Sequence, residues 1–255
     1  FTGKIGGLSF YKVSGSDKII VRAGNGPSKE MIMKGENFAR TRENLSEFAI
    51  CSSCSRLIRG ALNNCLNGTV VSCHNQLVQA LNIILKEDNE GKRGYRSLLF
   101  SKYINRMSGI ELVPSRPLHQ IMYYSLQVAH DENVGNVKIV LKGFNPEMHL
   151  YNPEHYLFFR FKLAILEIPD YKISDTNQRH DWTLSEGIRS FSQNSDWLKY
   201  GDRFEDVILS LDLKNEKWRN VNLSGRIIAF GIQFGQSDNY QIRGIEKTFS
   251  GRLFP

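Results

Sequence analysis

All four cysteines fall within one short stretch, at Cys51, Cys54, Cys65 and Cys73, with His74 beside the last. Cys-x2-Cys is the spacing that opens a zinc site, because a tetrahedral ion needs four converging ligands. The second half of such a site is missing, since Cys65 and Cys73 lack the paired spacing. Cys51, Cys54 and Cys65 also recur at the steps of one helical face, where cysteine acts as a small hydrophobe. Small buried residues are therefore the favoured reading, ahead of metal ligands and disulfides. No metal and no cofactor is expected.

The histidines offer general acid–base chemistry only if something orients them. His130-Asp131-Glu132, Glu154-His155 and His180-Asp181 each set a carboxylate beside an imidazole. Neighbours along a strand point to opposite faces, so these pairs do not orient one another. His74, His119, His130, His149, His155 and His180 read as solvated turn or loop residues. Glu205-Asp206 reads as strand-end solvation. Nucleophile elbows, phosphate cradles and dinucleotide fingerprints are absent. Gly3-Lys-Ile-Gly-Gly7 lacks the strand-before, helix-after setting of a phosphate loop. No enzyme is expected. A third-ranked reading is a binding module or hydrolase with a site in the loop 169–203, where Asp181, Trp182, Glu186 and Trp197 come first.

The informative segment is the first 60 residues. Residues 1–30 read as two strands, one carrying Ile5, Leu8 and Phe10 and one at 18–21, with Ser14-Gly15-Ser16-Asp17 as the turn. A lone hairpin is marginal in water, so this cationic arm must lie on something: its own body, a neighbouring subunit or a polyanion. Candidate interface residues are Ile5, Leu8, Phe10, Tyr11, Ile20 and Arg22 of the arm, with Arg40, Arg42, Arg56 and Arg59 beyond it. Phe10-Tyr11 and Tyr123-Tyr124, read with Lys12, Arg22, Arg40 and Arg42, also give an aromatic and basic pattern suited to nucleic acid. Packing of strands and cations is favoured over it.

Gly3 to Lys12, Ile20-Val21-Arg22, Arg40 to Phe48 and Leu57-Ile58-Arg59 together resemble a recurrent family of uncharacterised proteins from Bacteroidetes. Its members open with Gly-x-Ile-Gly-x-Leu/Ile-x-Phe-Tyr-Lys and continue to Arg-Thr-Arg-Glu-Asn-x-x-Glu-Phe. The resemblance covers about 60 residues. The family pattern has Gly, Ala or Ser where this chain has Cys51 and Cys54. It implies a lineage and not a mechanism.

Charge is uneven. Residues 1–116 hold 17 Lys and Arg against 9 Asp and Glu, while residues 117–255 hold 16 against 17. The basic excess belongs to the first part and points to an electrostatic partner there, or to solubility charge. Hydrophobic content of 41% suits a globular chain with a large core. No apolar run is long enough to span a bilayer, so no membrane span is expected. No signal peptide is visible, and a cytoplasmic assembly or released particle is favoured.

The elements that must position these residues follow from periodicity. Leu45, Phe48, Cys51, Cys54 (or Ser55), Ile58, Ala61, Leu62 and Cys65 make one apolar helical face. Arg42, Glu43, Glu47, Arg56 and Arg59 make the polar one. Further helices are expected at 72–85 and 95–107, with a solvated loop at 86–94 and a short helix near 184–191. Strands are expected at 121–129, 136–143, 155–168, 204–213, 225–235 and 240–249. The expected fold is α+β: a β-hairpin arm (1–35), a helical region (36–116) and an antiparallel β-sandwich (117–255). The expected function is a structural self-assembling subunit of a filament, tube or sheath-like particle, with copies of itself as partner. The alternative is a nucleic-acid-associated protein, or one bound to another polyanion through the same basic region.

Overall fold

The computed structural model describes residues 2–13, 16–23, 26–131, 136–172, 187–213, 223–238 and 241–254. The chain divides into two compact units, residues 1–46 and 47–255.

The first unit opens with three strands where two are expected: β1 (Gly3–Ile5), β2 (Leu8–Lys12) and β3 (Ile19–Ala23). They form an antiparallel sheet in the order β1-β2-β3. The extra strand arises because Gly6-Gly7 is a two-residue hairpin turn, with Ile5 opposite Leu8 and Gly6 at φ +55°. That conformation is open to glycine and strained for other residues. A six-residue helix, α1 (Lys29–Lys34), follows, N-capped by the Ser28 hydroxyl, which accepts from the Met31 amide at 3.1 Å. A 3-10 turn, Glu36–Phe38, leads into α2 (Ala39–Cys65), and the unit boundary falls within this long helix.

The second unit continues α2 and adds α3 (His74–Lys86), α4 (Phe100–Tyr103), α5 (Leu118–Ile121), β4 (Gln127–Asp131), β5 (Asn136–Phe144) and α6 (Pro146–His149). It then runs through β6 (Phe158–Pro169), β7 (Arg189–Asn194), β8 (Leu198–Lys199), β9 (Phe204–Asp212), β10 (Ser224–Asp238), β11 (Gln241–Gly244) and β12 (Ser250–Phe254). The strands make two antiparallel sheets. One has the order β11-β10-β6-β7, with β12 also on β10 and β8 also on β6. The other has the order β4-β5-β9.

The pair β6 and β10 is the middle of the unit. They run in register from Ser224 opposite Pro169 to Gly235 opposite Phe158. Ala164, Leu166, Ile168, Ile227 and Ala229 join Ile50, Cys54, Ile58 and Leu62 of α2 and Leu77, Leu81 and Ile84 of α3. The alternate residues Phe159, Phe161, Leu163, Ile165, Ile228, Phe230 and Ile232 join Val137, Ile139 and Leu141 of β5 and Val207 and Leu209 of β9. Strand side chains alternate between faces, so the same two strands serve a helical core on one side and a second sheet on the other. Phe144 of β5 meets Phe161 of β6 edge-on at 5.3 Å, and it joins the two sheets. The architecture is α+β, with antiparallel sheets following a strand arm and a long helix.

Several expectations are corrected. Of the helix expected at 95–107, only α4 and a 3-10 turn, Ile104–Met107, form. Leu98 instead exchanges backbone bonds with Tyr171, at 2.8 and 2.9 Å, which takes the chain out of helix. The first expected strand, 121–129, begins only at Gln127. Its start is preceded by α5 and a bridge between Met122 and Leu150. Of the expected strand 240–249 only β11 forms, a 3-10 turn at Glu246–Thr248 follows it, and the last strand, β12, begins beyond it at Ser250. Residues 189–191, expected as helix, lie in β7, while 173–186 lie outside the described residues. On α2, Leu45 and Phe48 are exposed and Glu47 is buried. The buried residues of α2 start at Glu47, whose carboxylate accepts from the Gly94 amide at 2.9 Å. The segment 86–94 is not wholly solvated, since Asp88 is buried and accepts from the amides of Glu90, Gly91 and Ser97.

A candidate assembly interface in the N-terminal arm

Cross-strand partners share a face of a sheet, and successive residues alternate between faces. The pairs Ile5–Leu8–Ala23, Gly3–Phe10–Val21 and Lys12–Ile19 therefore lie on one face of the arm. Lys4–Ser9–Arg22 and Tyr11–Ile20 lie on the other. One face is almost wholly apolar, while the other is cationic and carries one aromatic ring. The candidate residues thus separate: Ile5, Leu8 and Phe10 sit on the apolar face, and Tyr11, Ile20 and Arg22 on the basic one.

Both faces are largely exposed, with Ser9 and Phe10 half-buried. None of the described residues from 2 to 46 is buried. Ile5 is 59% exposed, Ile19 51% and Val21 51%. Burying an apolar side chain of this size is worth about 1.5–3 kcal/mol. A contiguous row of them left in water is what marks an interaction surface, where single exposed residues would need no account.

The four arginines beyond the strands are held differently. The Arg42 Nη1 donates to the carbonyls of Ile32 and Gly35, each at 2.7 Å, and so closes the C-terminal end of α1. Its cationic head sits at the negative end of the helix. Arg40 pairs with Glu43 at 3.3 Å on the exposed helix surface. Arg56 is exposed and donates to the Ser53 hydroxyl at 3.3 Å. Arg59 is half-buried. Arg40 and Arg42 lie in the first unit and Arg56 and Arg59 in the second.

The other sequence candidates resolve as follows. Cys51, Cys54 and Cys73 are buried and Cys65 half-buried, all as free thiols. Burial pushes Cys51 up to about 12 and Cys65 and Cys73 up to about 11, and it raises Cys54 as well. These are inert small residues of the helical core. Among the described residues no three His, Cys, Asp or Glu side chains converge as metal ligands. His74 shares a hydrogen bond with the Ser55 hydroxyl at 3.0 Å. His149 accepts from the Asn145 amide at 3.1 Å and stands against the Tyr124 ring at 5.1 Å. The Tyr124 hydroxyl donates to the Lys142 carbonyl, so Tyr124 belongs to the packing of the second unit.

One charge cluster has no counterpart in the sequence reading. Glu111 is buried, accepts from the Leu118 amide at 2.8 Å and pairs with Arg252, while His119 lies 3.4 Å from the Glu111 carboxylate and 3.0 Å from Arg252. His119 and Arg252 line a cavity of about 240 Å³ with Leu118, Met122, Tyr124 and Phe254. The partners are 8 and 141 residues apart, so nothing in local spacing announces them. Asp181, Trp182 and Glu186 lie outside the described residues. Trp197, the fourth candidate of that loop, packs under the Arg160 guanidinium at 4.5 Å. No described helix is long and apolar enough to cross a membrane. Comparison of the chain with family models, with curated proteins and with solved structures returned no match.

Proposed function

We propose that this chain is a structural, self-assembling subunit of a filament, tube or sheath-like particle, and that its N-terminal arm adds to a neighbouring subunit. One observation carries the reading. The arm is an amphipathic three-stranded sheet whose apolar face leaves Ile5, Leu8, Ile19 and Val21 exposed, with Phe10 half-buried. A small sheet with nothing to cover its apolar face gains stability when another surface covers it. The charge division supports the same reading. The first 116 residues are basic and the rest close to neutral, so contacts that set one part against the other attract. Head-to-tail contacts of that kind build open polymers when their rotation does not close. The Bacteroidetes resemblance adds a lineage to this proposal and no activity. Deleting residues 1–30 tests it: assembly size should collapse, and unchanged size refutes the role of the arm.

The second reading, a nucleic-acid-associated protein, draws on the other face of the arm. Lys4, Arg22 and Tyr11 lie on the same side there, which is the pairing of cations and aromatic surface that single strands use. It requires affinity that falls steeply with salt. Gln substitution of Lys4 and Arg22 together with Arg40, Arg42, Arg56 and Arg59 should then abolish binding and leave oligomer size unchanged.

A further inference from the structure

We propose that the contact edge is β3, and that two copies pair through it, antiparallel, about a two-fold axis at Val21. The inference rests on the self-assembly reading and specifies its first contact.

The arm sheet has two edges. β1 is three residues long and carries Lys4 at its centre, so it is short and charged, as guarded edges are. β3 is five residues long, Ile-Ile-Val-Arg-Ala, and every residue in it is exposed. It holds no proline and only one charge. An exposed, apolar, uninterrupted edge presents free N–H and C=O groups to any strand of matching register.

Parity and charge then choose the register. In an antiparallel ladder, alternate residues direct their N–H and C=O groups to the same side. The outward set of β3 is either 19, 21 and 23, or 20 and 22. A two-fold axis between residues would set odd positions against even ones and mismatch outward with inward groups. The axis must therefore pass through a residue. At residue 22 it would set Arg22 against Arg22, and at residue 20 it would set Arg22 against Lys18. Like charges directly opposite destabilise a pair. At Val21 it sets Val21 against Val21, Ile19 against Ala23 and Arg22 against Ile20, and it leaves Lys18 past the end of the second strand. This register satisfies the ladder whichever outward set is present, and it opposes no like charges. The axis stands perpendicular to the sheet, so the apolar faces of both copies fall on the same side. The result is a six-stranded sheet with one continuous apolar face, ready to cover a further subunit.

The test uses the full-length chain and mild oxidation. Val21→Cys should form an intermolecular disulfide with its own counterpart. Ile20→Cys should not, because its counterpart lies two residues along the ladder, beyond the roughly 7 Å that a disulfide tolerates between Cα atoms. The parent chain, with its free cysteines buried or half-buried, is the control. A second pair of variants reads the same register through charge. Ile20→Glu, placed opposite Arg22, should lower the concentration at which oligomers appear several-fold, and Ile20→Lys should raise it several-fold. Cross-linking at residue 20 but not 21, or equal responses to Glu and Lys, overturns the register. Assembly without a cross-link at residue 21 overturns this inference and leaves the self-assembly reading standing. A parent chain that stays monomeric sinks both.

Discussion

Lys162, wholly buried on β6, donates from its ammonium to the carbonyl of Leu66, 3.1 Å away and one residue past the end of α2. Its second acceptor is the Asn67 carbonyl. Gln233 of β10 donates to the next carbonyl, Gly68, at 2.8 Å, and the Arg160 guanidinium donates to the Gln233 side chain. Two side chains of the sheet therefore close the long helix, and Gly68 at φ +76° turns the chain away. A cation at the negative end of a helix is well placed, but burial opposes its charge.

Burial, with the nearby Arg160 charge, pushes the Lys162 ammonium down to about 8. An unfolded lysine titrates near about 10.4. Between these values the unfolded chain holds the Lys162 proton more firmly, so this group adds stability as pH goes from about 8 to about 10.4 and contributes no slope below that window, while the four raised thiols, which ionise first in the unfolded chain, subtract stability over the same interval. Urea midpoints across the interval measure it. The Lys162 contribution is the difference between parent and Lys162→Met: the parent should gain on the variant as pH rises through the window, and a difference that does not change with pH would contradict it.

The cysteines should be silent in the native state. With Cys51 raised to about 12 and Cys65 and Cys73 to about 11, thiolate is scarce at pH 8. An aromatic disulfide reagent should label the folded chain slowly, and at Cys65 first, because Cys65 alone is half-buried. All four should react at once in denaturant.

Gly225→Ala should cost about 1–3 kcal/mol. A Cβ at Gly225 would drive into the backbone carbonyl of Phe100, in α4. Backbone cannot move aside as a flexible side chain would. A denaturation midpoint unchanged from the parent would show that α4 shifts freely on β10.

Arg42→Ala should act locally. It removes the donor to the Ile32 and Gly35 carbonyls, so amide exchange across residues 29–35 should accelerate by an order of magnitude or more. The main melting transition should stay in place, because the partners of Arg42 lie within residues 1–46. A shift of that transition by several degrees would mean that Arg42 supports more than α1.

The parts of the fold legible in the sequence are those where one face is covered and the other is wet. Val137, Ile139 and Leu141 alternate with exposed or half-buried residues and lie in β5, and Val207 and Leu209 do the same in β9. The strand β6 was legible as well, although its alternation fades where both faces are covered. What stayed hidden depends on backbone partners. The segment 95–107 has apolar residues at helical spacing, yet Leu98 pairs with Tyr171 across the chain. Glu47 looks like a surface carboxylate because its donor, the Gly94 amide, lies 47 residues away. In the arm, the apolar residues Ile5, Leu8 and Phe10 were visible. The Gly6-Gly7 turn was not, because glycine in a strand and glycine in a turn look alike until the register is known. Arg42 read as one more surface cation, since the carbonyls it holds carry no signature of their own.

The most direct measurement is negative-stain electron microscopy with light scattering on the full-length chain, at low and high salt. The proposed function requires regular filaments, tubes or rings that form at low salt and persist at high salt, because apolar contacts survive the screening that weakens the charge attraction, and that vanish when Ile5, Phe10 and Val21 are replaced by serine. A clean monomer at both salts would contradict it.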